Sequence, residues 1–134
     1  MLLVVGASLV AGVVGSFTDW LFMGVLFHDS YNRYPEVWRP GIAEGSEKTA
    51  ILISTAIGFV MTFAIVRLCV LAGVSGIARG CGVALLAWIA GPLAIMAING
   101  LFIKLDHRIV AAHSIGYLLR FVFAGAAAGL ALQP

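Results

Sequence analysis

Five residues stand out in this sequence because they place polar or ionisable side chains inside long apolar stretches. They are Asp19, Asn99, His113, Tyr117 and Arg120. On a helix, positions 113, 117 and 120 follow the spacing i, i+4 and i+7, so they share one stripe. A charged group costs about 2.5–3.5 kcal/mol at the centre of a membrane helix and is expected to face a partner or a wet cavity. We therefore expect Asp19 to pair with Arg120, with the other three residues completing a polar cluster.

This cluster allows two interpretations. An arginine fork can hold a carboxylate through two hydrogen bonds, and such a pair can simply fix the register between helices, as in a structural or accessory membrane subunit. Alternatively, the cluster is a binding site or a proton path, in which His113 is the group that titrates near neutral pH. The second interpretation describes a small transporter, channel or ligand-binding bundle.

A second polar group is predicted at the membrane surface, in two different loops. Its members are His28, Asp29, Asp106 and His107. Two imidazoles and two carboxylates could bind a metal or serve a membrane-embedded enzyme, which is the third functional alternative. The sequence has no HExxH, GxSxG, phosphate-loop or dinucleotide motif, so we predict no metal, no cofactor and no catalytic residue.

The composition determines the class of protein to which these residues belong. Of the 134 residues, 62% are hydrophobic and 10% are charged, whereas a soluble domain carries about 25% charged residues. The formal net charge is only +2 and no basic run is present, which excludes nucleic acid as a partner. The sequence therefore predicts an integral membrane protein.

The apolar stretches predict one domain, residues 1–134, that is an all-α, up-down-up-down bundle of four membrane helices. A span needs about 20 apolar residues, and the predicted helices cover about 2–27, 49–73, 81–103 and 109–132, with a loop at 28–48. The first lacks the basic start of a signal peptide and is expected to be retained. Gly91 and Pro92 predict a kink in the third helix.

The distribution of Lys and Arg predicts the orientation. One side carries Arg33, Arg39, Lys48, Lys104 and Arg108, whereas the other carries Arg79 and the nearby Arg67. The richer side should be cytoplasmic. This places both termini outside the cytoplasm of a bacterial-type inner membrane. Tyr31, Tyr34 and Trp38 would then give the cytoplasmic loop an interfacial character.

Small residues predict where helices approach closely. Gly125 and Gly129 form a GxxxG pattern that points away from the polar stripe, and we expect it to be either an ordinary packing face or the surface of a homodimer. Cys69 and Cys81 should lie at the facing ends of helices two and three. A disulfide between them is geometrically feasible in an oxidising compartment, although free buried thiols are commoner in apolar helices.

The segment from Ser16 to Arg39 reaches an aromatic-rich helix end followed by a polar aromatic turn. Trp20, Leu26, Phe27 and Tyr31 in this segment resemble the helix end of a bacterial family of small four-helix membrane proteins, domain of unknown function 1761. Similar features follow later in the chain, at Trp88 with Gly91 and Pro92 and at His113 with Tyr117. The family's usual Trp-Tyr pair is absent. The resemblance implies a four-helix topology and brings no established activity or catalytic residue.

Overall fold

The computed structural model describes residues 1–33, 36 and 47–133, and over these residues the chain is helical without a strand. The α-helices are α1 (Leu2–Asp19), α2 (Glu47–Leu71), α3 (Ile77–Trp88), α4 (Ala94–Phe102) and α5 (His107–Ala131). A π-helical stretch, Trp20–Leu26, continues α1, and a second one, Ile89–Leu93, joins α3 to α4. A short 3-10 helix, His28–Asn32, follows the first π-helical stretch.

The described residues contain four helical stretches that are long and apolar enough to cross a membrane. These spans are Leu2–Leu26, Lys48–Leu71, Ile77–Phe102 and His107–Ala131. The number of helical spans therefore agrees with the predicted all-helical bundle of four spans. Successive spans run in opposite directions. We call the end near His28 and Asp106 the loop end, and the end near Gly73 and Gly76 the turn end.

The turn between α2 and α3 is shorter than the sequence predicted, because two glycines complete it within a few residues. Gly73 and Gly76 have φ values of +62° and +88°, a region that glycine enters without steric cost. The Val74 amide donates to the Cys69 carbonyl at 3.0 Å and closes the end of α2. The third span therefore begins at Ile77 rather than at the predicted Cys81.

Pro92 lies inside the π-helical stretch Ile89–Leu93. Proline has no N–H and clashes with the carbonyl one turn earlier, and a wider turn relieves both problems. The sequence predicted a kink at Gly91 and Pro92, and the structure has a π-helical stretch at this place. Directly before this stretch, the Trp88 indole N–H donates to the Ser114 carbonyl at 2.8 Å, which joins the third span to α5.

Helix α5 is the centre of the bundle, since it contacts α1, α2 and α3, while α1 and α3 do not pack on each other. In the most apolar 18-residue stretch of the span His107–Ala131, 44% of the residues are buried, compared with 6% in that of the span Ile77–Phe102. Small residues make the contact with α3 close: a Cβ on Gly80 would overlap the Gly125 carbonyl, and one on Gly129 would overlap the Gly76 carbonyl.

This contact corrects the homodimer surface that the sequence suggested. Gly125 and Gly129 are buried against α3 of the same chain, so their GxxxG pattern is used within the bundle. Without side chains, the backbones approach closely and gain van der Waals contact, which replaces the hydrophobic effect between helices in lipid. A homodimer remains a prediction, but it would need another surface.

The two cysteines are free, and the disulfide that the sequence allowed is not formed. The reason is the direction of each thiol. Cys69 Sγ faces the Gly80 carbonyl at 4.0 Å, and Cys81 Sγ faces the Val122 carbonyl at 3.9 Å. Cys69 thus packs between α2 and α3, whereas Cys81 packs against α5.

Candidate functional site

The candidate site is built around Arg120, whose side chain has no solvent exposure. Arg120 lies thirteen residues after the start of α5 at His107. At a rise of 1.5 Å per residue this places its Cα about 20 Å from the loop end, near the middle of the bundle. A guanidinium at this depth must be paired, because an isolated charge in hydrocarbon is costly.

Asp19 is its partner, as the sequence predicted. Arg120 Nη2 donates to Asp19 Oδ2 at 2.6 Å, and the Asp19 side chain is 25% exposed. On the opposite arm, Arg120 Nη1 donates to Thr62 Oγ1 at 3.2 Å. The Thr62 hydroxyl in turn donates to the Gly58 carbonyl at 2.9 Å. The guanidinium therefore links α1, α2 and α5 through one side chain.

Two glycines provide the space for this guanidinium. A Cβ on Gly58 would lie 2.7–2.8 Å from Arg120 Nη2, Cζ and Nη1, and one on Gly15 would lie 2.9 Å from Arg120 Cγ. The sequence analysis missed the roles of Gly58 and Thr62. Their spacing, a glycine and a hydroxyl four residues apart in an apolar helix, was the available signal.

A second set of hydrogen-bonding side chains lies between this ion pair and the loop end. The Tyr31 hydroxyl is 2.9 Å from His113 Nε2, and the ring of His113 is 5.9 Å from the ring of Tyr117, centroid to centroid. His113, Tyr117 and Arg120 therefore do form one stripe on α5, and Tyr31 joins it from the segment after the first span.

Tyr31 lies outside the membrane spans, and burial raises its pKa well above the usual value for a phenol, with Tyr117 and Asp19 adding to the shift. The hydroxyl consequently stays protonated at neutral pH. A protonated phenol can donate to a neutral imidazole or accept from a protonated one. The Tyr31–His113 contact is thus compatible with both protonation states of the histidine.

The ion pair leaves two buried polar atoms without a hydrogen-bond partner in the described part of the chain. They are Asp19 Oδ1 and Arg120 Nε. A Cβ on Gly116 would lie 3.6 Å from Asp19 Oδ1, so the missing side chain at that position leaves room beside the oxygen. Buried polar atoms are nearly always paired in proteins, and exceptions occur at sites where a proton, water or ligand binds.

Asn99 is not brought into this group. It lies on α4, and among the described residues its side chain forms no hydrogen bond with the other four. Helix α4 packs on α5, away from α1, which carries Asp19. The sequence could place Asn99 at the right depth but not on the right side of the bundle.

The polar residues at the loop end have structural partners. Asp106 accepts from the Arg108 amide at 2.8 Å as the N-cap of α5, and its carboxylate lies 2.6 Å from Arg33. The backbone N–H of Arg108, and then the charge of Arg33, lower the pKa of Asp106. The exposed Lys104 binds Glu36 at 2.6 Å. Two ion pairs therefore tie the segment after the first span to the start of α5.

The four weak metal candidates do not converge. Within the described ranges, no group of three or more His, Cys, Asp or Glu residues could hold a metal ion. Asp106 is occupied by Arg33 and Arg108, while His28 and Asp29 are exposed and His107 is 3.7 Å from Asp106. Of the interfacial residues, Tyr34, Trp38 and Arg39 lie outside the described residues.

The chain matches no protein-family model, no curated protein and no solved structure. The resemblance to domain of unknown function 1761 therefore stays a prediction.

Proposed function

We propose that the protein is a pH-responsive membrane protein in which Asp19 binds a proton that arrives from the loop end. The observation that carries this proposal is the buried, unpartnered Asp19 Oδ1 beside a partnered Oδ2. A proton can bind Oδ1 without displacing Arg120 from Oδ2. The site would then be one of the intramembrane carboxyl sites that bind protons in pumps and transporters.

The route to Asp19 begins at Tyr31 and passes His113 and Tyr117 on the stripe of α5. An imidazole can donate a hydrogen bond through one ring nitrogen and accept one through the other, so His113 can pass a proton from Tyr31 toward Tyr117. Tyrosine hydroxyls both donate and accept hydrogen bonds and can relay one. Along α5, His113, Tyr117 and Arg120 lie successively farther from the loop end.

The proposed proton route opens at the loop end and does not continue to the turn end. Beyond Thr62, the buried side chains that the structure describes toward the turn end are apolar, except that of Ser8. They include Ile65, Val66, Cys69, Ala124 and Ala128. The Ser8 hydroxyl donates to the Val4 carbonyl of its own helix at 2.7 Å. No described side chain continues the route there, so a proton that reaches Asp19 has to return the way it came. This favours reversible proton binding over conduction across the membrane.

Protonation would change the balance of charge inside the bundle. A neutral Asp19 leaves the guanidinium of Arg120 without a counter-charge, and an uncompensated buried charge is strongly destabilising. The contact between α1 and α5 would therefore weaken at low pH. Such a change is the local electrostatic event on which pH switches are built.

Infrared difference spectroscopy tests the proposal on the full chain in lipid nanodiscs, between about pH 8 and about pH 3, a range that spans the ordinary titration of a carboxyl group. We expect the carbonyl stretch of a buried protonated carboxyl group to appear at low pH and to be absent in Asp19→Asn. His113→Gln should delay its appearance after a pH jump. Asp106→Asn is the matched control, because it removes the other buried carboxylate and should keep the band.

The second candidate function is a structural or accessory subunit in which the pair only fixes helix register. The close fit of Gly15 and Gly58 around the guanidinium favours it. In that case Asp19 stays ionised at both pH values. The same band in the parent protein and in Asp19→Asn, or no band in either, would refute proton binding at Asp19.

A further inference from the structure

A short segment after the first span lies against the loop end of the polar stripe. It comprises residues 28–33, begins with the 3-10 helix His28–Asn32, and contacts both α5 and the end of the first span. We call it the strap. Its Ser30 is buried, and the Ser30 amide donates to the Phe27 carbonyl at 3.0 Å, which turns the chain as it leaves the first span. The strap is therefore packed on the bundle.

Two contacts hold the strap on α5 and on the residue that caps this helix. The Tyr31 hydroxyl lies 2.9 Å from His113 Nε2, and the two rings meet edge to face with their centroids 6.0 Å apart. At the end of the strap, Arg33 Nη1 lies 2.6 Å from Asp106 Oδ2. The Asp106 side chain is 1% exposed, whereas that of Arg33 is 48% exposed. The carboxylate is thus a fixed anchor, and the arginine is the partner that can leave it.

Tyr31 is the residue of the strap that meets the histidine of the stripe. Burial raises the pKa of Tyr31 well above the usual value for a phenol, so its hydroxyl rarely gives up a proton at neutral pH. A proton therefore passes this hydroxyl slowly while the strap is in place. When the strap moves away, water can reach His113 directly.

We propose that the strap is a gate over the loop-end entrance to the stripe, which Arg33 holds shut through its contact with Asp106. The gate sets how fast a proton reaches the stripe and does not decide whether Asp19 can bind it. Closure of the strap stands on its own contacts, while its effect on proton uptake rests on the proposed function. Arg33 is a positioning residue, because it acts by keeping Tyr31 in place.

Reaction of histidine with diethyl pyrocarbonate tests the gate on the full chain in lipid nanodiscs, with each site read by mass spectrometry. The chain has three histidines, and the exposed His28 and His107 report the unhindered rate in the same sample. We expect His113 to react more slowly than both. Labelling of a covered site follows the population of the locally open state. Arg33→Gln and Tyr31→Phe should each raise the His113 rate about three- to tenfold, the effect of one hydrogen bond.

Arg108→Gln is the matched control. Arg108 is exposed and carries the same charge two residues after Asp106, and its side chain forms no ion pair within the part of the chain that the structure describes. This variant should leave the His113 rate unchanged. Equal His113 rates in the parent protein and in Arg33→Gln would overturn the gate, and so would an equal increase in Arg108→Gln.

Infrared spectra after a pH jump distinguish the gate from the proton site. Arg33→Gln should make the Asp19 carboxyl band appear about three- to tenfold faster, in step with the labelling of His113. Its final height should not change. Faster labelling with an unchanged band would show that protons reach Asp19 by another path, and would overturn the gating of proton uptake. No band in either protein would refute proton binding, and with it the effect of the strap on uptake, but not the closure that labelling measures.

Discussion

Helix α5 makes two contacts of contrasting chemistry with its neighbours. Toward α3, glycines allow two backbones to meet, with Gly80 against Gly125. Toward α1 and α2, glycines make room for one large charged side chain, with Gly15 and Gly58 around Arg120. We call the first the glycine contact and the second the arginine contact.

The comparison shows that the same residue type supports two kinds of cohesion in lipid. In the glycine contact, the stabilisation comes from many weak van der Waals interactions and does not depend on charge. In the arginine contact, it comes from one ion pair and a few hydrogen bonds in a medium of low dielectric constant, and removing one partner leaves the other exposed to that medium. The arginine contact should therefore be more sensitive to single substitutions.

Removal of Arg120 should have the largest effect. Arg120→Met leaves the partly buried Asp19 carboxylate without a counter-charge, and breaking a buried pair in this way costs up to about 3–5 kcal/mol. The double variant Asp19→Leu with Arg120→Met should recover much of this loss, because two apolar side chains replace the whole pair. Thermal unfolding in detergent, followed by circular dichroism, measures both effects.

Arg67→Met provides the control for that comparison, since Arg67 is exposed and carries the same charge on α2. It should change the melting temperature little. Arg120→Met with a melting temperature like that of Arg67→Met would contradict the arginine contact as a source of stability.

The glycine contact should respond to added volume instead of to charge. Gly80→Ala places a Cβ against the Gly125 carbonyl, a backbone atom that cannot rotate away. Overpacking of this kind costs about 1–3 kcal/mol. We expect a lower melting temperature and weaker packing of α3 on α5, measured by cysteine accessibility at Cys81.

Gly82→Ala is the matched control on the same helix, because nothing lies within 4 Å of the position its Cβ would occupy. Alanine favours helix over glycine by about 0.5–1 kcal/mol, so this variant should be as stable as the parent protein or more so. Equal destabilisation by both substitutions would show that the glycine contact is not limited by space.

The sequence predicted the helices and the Asp19–Arg120 pair because both follow from strong local rules. Long apolar stretches require membrane helices, and lone charges in such helices require partners. The sequence could not show that Gly125 and Gly129 of α5 pack against α3. It also could not show that Asn99 lies outside the cluster. Those outcomes depend on how each helix is rotated about its axis, which is set by packing against neighbours that a single sequence does not reveal.

The smallest effect is expected at the loop end, where Asp106 forms the same kind of ion pair close to water. Its pKa is lowered from the ordinary value of 3.8, first by the Arg108 amide and then by Arg33. The folded state therefore releases this proton more readily than the unfolded state does. The stabilisation is complete above the ordinary pKa and is lost as the pH falls through the folded value.

Melting temperatures from about pH 6 to about pH 3 should fall less steeply for Asp106→Asn than for the parent protein. Asparagine still caps α5, so a difference in slope isolates the charge. Equal slopes would mean that Arg33 and the cap do not favour the ionised form, and would leave the arginine contact as the ion pair on which the fold depends.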